Sequence, residues 1–331
     1  MTEDKKISAA RAAALMLCFS YARLIAFRPE GDDLLICCAA ELTAGLILWA
    51  VCALFSALPE NKSPIFGKFF ALSGAGYLML LLTYTLSGFA ASMQYSFPDF
   101  YTLPSVIAAL AAAAAYCASM GMTGCTRTAV AAVILTAAVF FLTAVGAVRG
   151  FEVSHLSIAA AGRTEVFFRR TVQSLAYSAE LPLMILLLRD RIEKPRRAGL
   201  IWLCVRTLTD TAVLALTLGV LGRRSGSGLP VFTLSAYSKT SMIERFDALV
   251  LLMWTLCTLL SAAALILGIR RCAEVFSARA GRCSGPLAAA VCAGAAILMT
   301  AGGQRNAPSA LLAVLLPVGI AAGSFIGRRR V

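Results

Sequence analysis

The uncharged run ALVLLMWTLCTLLSAAALILGI, residues 248–269, lies between Asp247 and Arg270. A helix of roughly 20 predominantly apolar residues spans the hydrocarbon core of a bilayer, and its backbone groups form hydrogen bonds within the segment. The run therefore predicts a membrane-spanning helix over about 243–268. Because similar runs recur along the chain, the sequence predicts a protein that crosses the membrane many times.

Composition extends this prediction to the whole chain. The 331 residues are 60% hydrophobic and 14% charged, whereas soluble domains are about 45–50% apolar and roughly 25% charged. The net charge of +13 comes from Lys and Arg that lie mostly in connections, which is typical of membrane topology and not of nucleic-acid binding. The polar start, Met1–Lys6, lacks a signal-peptide cleavage pattern, so we expect the first apolar helix to stay in the mature protein.

Ten apolar runs between charged or Pro/Gly-containing stretches are candidate spans. Their approximate bounds are 9–27, 34–58, 65–90, 103–120, 128–148, 166–188, 200–221, 243–268, 287–301 and 307–326. They predict an all-α polytopic membrane protein with a single transmembrane domain over 1–331. The longest connection, 222–242, leaves no room for an independent soluble domain.

Positive charges predict the orientation of these spans. With ten spans and the N-terminus inside, 17 of the 30 Lys and Arg lie in inner segments and 10 in outer segments. The densest clusters, 189–197 and 270–282, then lie inside, as does Arg328–Arg330. We therefore expect both termini on the cytoplasmic side.

Cysteine and histidine usage predicts neither a metal site nor a cofactor. The 11 cysteines are scattered without a CxxC pair, and His155 is the only histidine. Cysteine within a membrane helix packs as a small apolar side chain. The sequence also lacks a phosphate-binding glycine loop and a nucleophile with a base beside it, so we predict that the chain is not an enzyme.

Ionisable side chains within a span cost about 2.5–3.5 kcal/mol each near the bilayer centre on insertion scales, so each needs a reason. The deepest in the predicted spans are Arg23, Glu41, Glu180, Arg206 and Asp210. Arg206 and Asp210 lie four residues apart on one helix face, so they can neutralise each other. This pair has either a structural role or a coupled gating role.

The first and sixth predicted spans share a pattern. FSYAR at 19–23 and AYSAE at 176–180 each place an aromatic residue, a serine and an alanine close before a charge. Pro182 cannot donate a backbone hydrogen bond, so it frees a carbonyl near Ser178. Freed carbonyls at membrane depth are tolerated where they line a polar cavity.

We predict that these two segments are interrupted at mid-depth and face each other across a small ligand cavity, as in a five-plus-five inverted repeat. The candidate ligand-binding residues are Ser20, Tyr21, Ala22, Arg23, Tyr177, Ser178, Ala179 and Glu180. Arg23 suits a carboxylate, and Glu180 suits an amino group. The alternative is that Pro182 makes an ordinary kink and the serines bond to their own helices.

Motifs along most of the chain resemble one family. They are KIS at 6–8, RPEGDD at 28–33, FGK at 66–68, GMTGCTR at 121–127 and SAE at 178–180. The most specific are LPVFTL at 229–234, IERFDAL at 243–249 and Trp254. Together they resemble the B subunit of spore germinant receptors, the GerAB-type spore germination proteins of the amino acid–polyamine–organocation (APC) superfamily.

The segment before the eighth span has two interpretations. Ser241 and Glu244 fit a capping box, which would satisfy backbone donors at the start of the helix. A contact surface for a partner subunit is the alternative, because the connection is too long for a tight turn. Its candidate residues are Phe232, Glu244, Arg245 and Asp247.

The resemblance implies an APC/LeuT-like five-plus-five fold, with repeats of about 7–148 and 166–326. It implies a receptor subunit in the spore inner membrane that binds a small nutrient such as an amino acid and signals through partner A and C subunits. The alternatives are an amino acid permease on the same fold and an assembly subunit without a ligand. The sequence departs from the superfamily at Ser20–Arg23, because the glycines that often unwind the first span are absent.

Overall fold

The computed structural model describes residues 6–24, 34–57, 64–96, 102–156, 164–178, 180–222, 229–238 and 246–301. Eleven α-helices form within these ranges. They are α1 (Ala9–Leu24), α2 (Leu34–Ala57), α3 (Pro64–Ser96), α4 (Leu103–Ser119), α5 (Gly121–Ala147), α6 (Thr164–Tyr177), α7 (Glu180–Leu188), α8 (Pro195–Leu221), α9 (Pro230–Tyr237), α10 (Asp247–Glu274) and α11 (Ala278–Ala301). Short 3-10 turns form at Val148–Gly150, Val153–His155 and Arg189–Arg191.

Six of the described helices are long and apolar enough to cross a bilayer. They are α2, α3, α5, α8, α10 and α11, and α4 is a shorter apolar helix. The protein is therefore an all-α polytopic membrane protein, which confirms the predicted class. The count of ten spans and the inverted repeat stay predictions, and the tenth predicted span, 307–326, lies outside the described residues.

Several helix boundaries differ from the predicted ones. The structure starts α5 at Gly121 instead of 128, because the GMTGCTR stretch continues the helix. Similarly, α11 begins at Ala278 instead of 287 and contains Pro286. The helix α9 was not predicted at all. Pro230 lies in its first turn, where the missing N–H is tolerated and the fixed φ favours a helix start.

The sixth predicted span is two helices. The backbone of α6 ends at Tyr177, Ser178 forms a turn, and α7 begins at Glu180. Pro182 lies in the first turn of α7, where its missing N–H is tolerated. The carbonyl of Ser178, which Pro182 cannot pair with, accepts a hydrogen bond from the Leu181 N–H at 3.1 Å.

The first span is not interrupted within the described residues, so this part of the prediction is wrong. The helix α1 continues through Ser20–Arg23 to Leu24. It contains neither glycine nor proline, so no residue in it removes a helical hydrogen bond or favours a break. All residues from Ala12 to Tyr21 are buried, because α5, α8 and α10 surround this helix.

The residue before α1 is attached to the connection between α7 and α8. The N–H of Ile7 donates to the Arg191 carbonyl at 2.7 Å, and the N–H of Glu193 donates to the Ile7 carbonyl at 3.0 Å. Ile7 and Ile192 form a parallel bridge. Both segments therefore lie on the same side of the bundle.

The segment after α5 folds against the end of α8. The N–H of Glu152 donates to the Gly219 carbonyl at 3.0 Å, and His155 Nδ1 lies 3.0 Å from the same oxygen. A Cβ atom on Gly219 would clash with the ring of Phe151. Gly222 ends α8 with a φ of +51°, a left-handed conformation that favours glycine.

We expect Gly219→Ala to destabilise the protein although alanine is the better helix former. The added methyl group forces Phe151 away, and overpacking of this kind costs about 1–3 kcal/mol. The apparent melting temperature in detergent should fall by several degrees. Gly76→Ala is the matched control, because a Cβ atom there meets nothing within 4 Å. An equal or higher melting temperature for Gly219→Ala would contradict this packing.

Candidate functional site

Arg206, in α8, lies at the centre of a buried polar cluster. Its Nη2 donates to Glu41 Oε2 at 2.9 Å and to Ser174 Oγ at 2.8 Å. Its Nε donates to Asp210 Oδ2 at 3.0 Å. The Ser174 hydroxyl donates to the same Glu41 oxygen at 2.6 Å. This Arg206 cluster (Glu41, Ser174, Arg206 and Asp210) joins α2, α6 and α8.

The cluster is linked to α1 through Trp202. The guanidinium carbon of Arg206 lies 5.2 Å from the centroid of the Trp202 ring, within the range of a cation–π contact. The indole N–H of Trp202 donates to Ser20 Oγ at 3.0 Å. Charged groups buried in this way are tolerated only when hydrogen bonds replace those lost to water. The position of Ser20 is therefore coupled to that of the guanidinium.

Two atoms of the cluster have no hydrogen-bond partner within the described part of the chain. They are Nη1 of Arg206 and Oδ1 of Asp210. These side chains are only 6% and 10% exposed. An unsatisfied buried polar group costs about 1–3 kcal/mol, and more when it is charged. Both atoms are almost completely buried, so neither faces open space in this arrangement.

Both residues line a cavity among α1, α2, α8, α9 and the turn between α6 and α7. The space that the centre of a water molecule can occupy is about 40 Å³, and a single water needs about 10–15 Å³ on this measure. The other polar lining residues are Ser20, Arg23, Glu41, Ser178 and Thr217. The apolar lining residues are Leu24, Val213, Leu214, Pro230 and Val231.

The structure brings three of the predicted ligand-binding residues to this cavity: Ser20, Arg23 and Ser178. Tyr21 has different surroundings. The hydroxyl of Tyr21 lies 3.2 Å from Thr209 Oγ1, and its ring packs edge-on against Phe140. The side chains of Tyr177 and Glu180, and the whole of Ala179, lie outside the described part of the structure.

Trp254, in α10, contacts three other helices: α1, α3 and α9. Its indole N–H donates to the Ala22 carbonyl at 2.8 Å, so the predicted ligand-binding residue Ala22 has a backbone partner. The centroid of its ring lies 4.8 Å from that of Phe89 in α3 and 5.8 Å from that of Phe232 in α9. The rings therefore fix α9 and the end of α1 against α10.

The predicted partner-contact residues have separate locations. The ring of Phe232 packs inside the bundle against Trp254, and Asp247 is the first residue of α10. Glu244 and Arg245 lie outside the described residues, as does Ser241 of the predicted capping box. A surface for a partner subunit at these positions stays a prediction.

Sequence reasoning missed Glu41, Ser174 and Trp202 as parts of the site. Glu41 was recognised as a deep charge, but its partner lies 165 positions away. A carboxylate alone in an apolar span needs a buried cation, and Arg206 is one of the few available. Neither Ser174 nor Trp202 carries a sequence signal, since serines and aromatic residues are common in membrane helices.

Comparison with known protein families gives a match over most of the chain. A family model described as spore germination protein matches residues 53–302. The matched range includes Ser174, Ser178, Arg206 and Asp210, whereas α1 and Glu41 precede it. Individual curated proteins give no match.

We expect Arg206→Met to be more destabilising than the triple change Glu41→Gln, Arg206→Met and Asp210→Asn. The single change leaves two buried carboxylates without their cation, which costs about 3–5 kcal/mol, whereas neutralising every member removes most of that penalty. Thermal unfolding of the purified protein measures both. Arg271→Met is the control, because its partners, Asp190 and Glu274, are partly exposed. A triple variant less stable than the single variant would contradict this account.

We expect Trp254→Phe to loosen the last turn of α1. The change removes the hydrogen bond to the Ala22 carbonyl but keeps an aromatic ring, and leaving this acceptor unpaired costs about 1–3 kcal/mol. Faster amide hydrogen exchange at residues 19–24 would report the loss. Trp49→Phe is the matched control, because Trp49 Nε1 has no hydrogen-bond partner within the described residues. Equal exchange in both variants would show that the bond does not hold α1.

Proposed function

Since the chain belongs to the spore germination protein family of APC-type permeases, we propose that it is a nutrient germinant receptor subunit of the spore inner membrane. It binds a small molecule such as an amino acid in the cavity between the first and sixth spans. It then signals germination through partner A and C subunits. Both termini lie on the spore core side, and the two repeats are about 7–148 and 166–326.

The observation that carries this proposal is the cavity at the interrupted sixth span. Ser178 lies in the break between α6 and α7, and it lines the same cavity as Ser20 and Arg23 of α1. Broken helices at membrane depth bind ligands in many transporters, because their free backbone groups face a protected polar space. A cavity of this size suits a compact solute.

The mechanism needs only a difference in ligand affinity between two arrangements of the bundle. A ligand that prefers one packing of α1 against α6 and α7 shifts the population toward it. The shift reaches a partner subunit through whichever exposed segments change position. Phe232, Glu244, Arg245 and Asp247 are the proposed partner contacts, and Pro182, Arg206 and Asp210 are the proposed structural or gating residues.

A permease on the same fold is the second candidate. It is favoured by the family's APC-type permease character and by the same cavity, since a transporter also needs a ligand site between its helices. Counterflow in liposomes separates the two, because robust exchange of labelled substrate requires transport. Thermal-shift screening with amino acids and nucleosides distinguishes a receptor or permease from an assembly subunit without a ligand. Only a ligand-binding protein is stabilised by one of these compounds.

We expect deletion of the gene to abolish germination in response to one group of nutrients and to leave responses to other germinants intact. Loss of optical density by purified spores, scored against a nutrient panel, measures this. The double variant Arg23→Ala with Glu180→Ala should shift the response to roughly tenfold or higher nutrient concentrations, because each change removes a charge that we assign to the ligand.

The control for this double variant is Glu274→Gln, in a carboxylate that pairs with Arg270 and Arg271 at the end of α10. It should germinate as the wild type does. An unchanged response of the deletion strain to every nutrient would disprove the receptor function. An unchanged response of the double variant alone would remove those two residues from the site.

A further inference from the structure

One end of the bundle concentrates positive charge among its described residues. The parallel bridge between Ile7 and Ile192 brings Lys6 to the connection between α7 and α8. A contact of 3.9 Å between Arg271 and Asp190 brings the end of α10 to the same connection. Eight Lys or Arg but only three Asp or Glu lie in the segments that meet here, which are Lys6, 189–197 and 270–274.

The acids compensate this charge only in part. Asp190 and Glu274 pair with arginines at the end of α7 and in the last turns of α10. Three exposed cations at the start of α8 have no acidic partner within the described part of the chain. We call them the α8 cationic surface: Lys194, Arg196 and Arg197.

Helix stability does not account for the α8 cationic surface. Lys194 is the residue before α8, and Arg196 and Arg197 lie in its first turn, which contains no acid. The N-terminal end of a helix carries partial positive charge, so acids are favourable there and cations are unfavourable. Membrane topology favours cations in the connection before α8 but does not require them in the helix itself. An anionic partner would offset this unfavourable arrangement.

An exposed apolar stripe of α8 continues from the α8 cationic surface. Leu200 and Leu208 are 47% and 73% exposed, and Cys204 between them is exposed as well. Residues four apart lie on one side of a helix, so these three side chains form a stripe on the side of α8 that carries Arg197. Since α8 is long and apolar enough to cross a bilayer, the stripe faces lipid chains, and the cations lie at the depth of the headgroups.

We infer that the α8 cationic surface binds the headgroup of an anionic phospholipid, whose acyl chains lie along the stripe of Leu200, Cys204 and Leu208. The guanidinium groups of Arg196 and Arg197 donate to phosphate oxygens, which their planar geometry suits, and Lys194 adds a third charge. A phospholipid fits because it joins a negative headgroup to apolar chains, as the surface joins cations to an apolar stripe. An acidic protein segment would satisfy the cations alone.

The position of the α8 cationic surface gives the lipid a structural effect. Arg196 Nε donates to Ser56 Oγ at 3.3 Å, so the start of α8 contacts the end of α2. Lys194 follows Ile192, whose neighbours bond to Ile7 before α1. A bound headgroup therefore stabilises the place where α1, α2 and α8 meet. This lipid site lies outside the cavity and does not depend on the receptor function.

The test uses the full chain purified in a neutral detergent, with phosphatidylglycerol as the anionic probe and phosphatidylcholine as the zwitterionic one. The wild type should bind phosphatidylglycerol about tenfold or more tightly than phosphatidylcholine, since each cation near an anionic headgroup contributes roughly a fivefold gain. Native mass spectrometry counts the bound lipids, and the shift in melting temperature reports their affinity. Glycerol 3-phosphate at the same concentration should not compete, because it lacks acyl chains.

Replacing all three cations of the α8 cationic surface by Gln should lower the affinity for phosphatidylglycerol about tenfold or more and leave that for phosphatidylcholine within about threefold. The matched control removes three other exposed cations, which lie in α3, in α5 and in the turn after α5. It should retain the preference of the wild type. The control variant combines Lys68→Gln, Arg127→Gln and Arg149→Gln.

Four results would overturn the lipid site. They are equal affinity of the wild type for the two lipids, an equal loss in the two triple variants, effective competition by glycerol 3-phosphate, and tighter binding of a polyglutamate peptide than of phosphatidylglycerol. The last result would assign the surface to an acidic protein partner. If the triple variant of the α8 cationic surface does not fold, Arg197→Gln compared with Arg149→Gln decides, with a loss of about fivefold expected only for Arg197→Gln.

Discussion

A single guanidinium holds three helices together within the membrane. Arg206 bonds to carboxylates from α2 and α8 and to a hydroxyl from α6, and a buried charge depends on such partners. The geometry of Glu41, Ser174 and Asp210 is thus set by one side chain. Because α6 ends at the break in the sixth span, its bond to Arg206 through Ser174 also fixes the position of the break relative to α8.

Two tryptophans from neighbouring helices hold the end of α1 in place. Trp202 contacts Arg206 and bonds to Ser20, whereas Trp254 bonds to the Ala22 carbonyl and packs against Phe232. The last two turns of α1 are therefore held from α8 and from α10 at once. Indole rings suit this role because they combine a large apolar surface with one directional donor. Ser20, Arg23 and Leu24 line the cavity, so the position of this end of α1 affects the shape of the cavity.

The membrane class and most helix positions could be predicted from sequence, because each membrane-spanning segment must by itself contain about 20 mostly apolar residues. The break at Ser178 was also foreseen, since Pro182 acts locally. The continuous α1 was predicted wrongly. Its break was inferred only by analogy with the sixth span, although α1 contains no glycine or proline that would cause one. Glu41 and Ser174 were missed as hydrogen-bond partners of Arg206 for a different reason. Their pairing depends on helix packing, and neither hydropathy nor residue spacing indicates which helices become neighbours. The short helix α9 was hidden because its eight residues are too few for a periodic pattern.

The bridge between Ile7 and Ile192 has a mechanical consequence. Two backbone hydrogen bonds fix the start of α1 to the connection between α7 and α8, so α1 cannot slide along its axis relative to this connection without breaking them. A motion of α1 that keeps both bonds is a rotation about that fixed end, which then acts as a hinge. Ser20 lies about 20 Å from the hinge at 1.5 Å per residue. A rotation of a few degrees there displaces the helix by an ångström or more at the far end, where α1 meets the polar space.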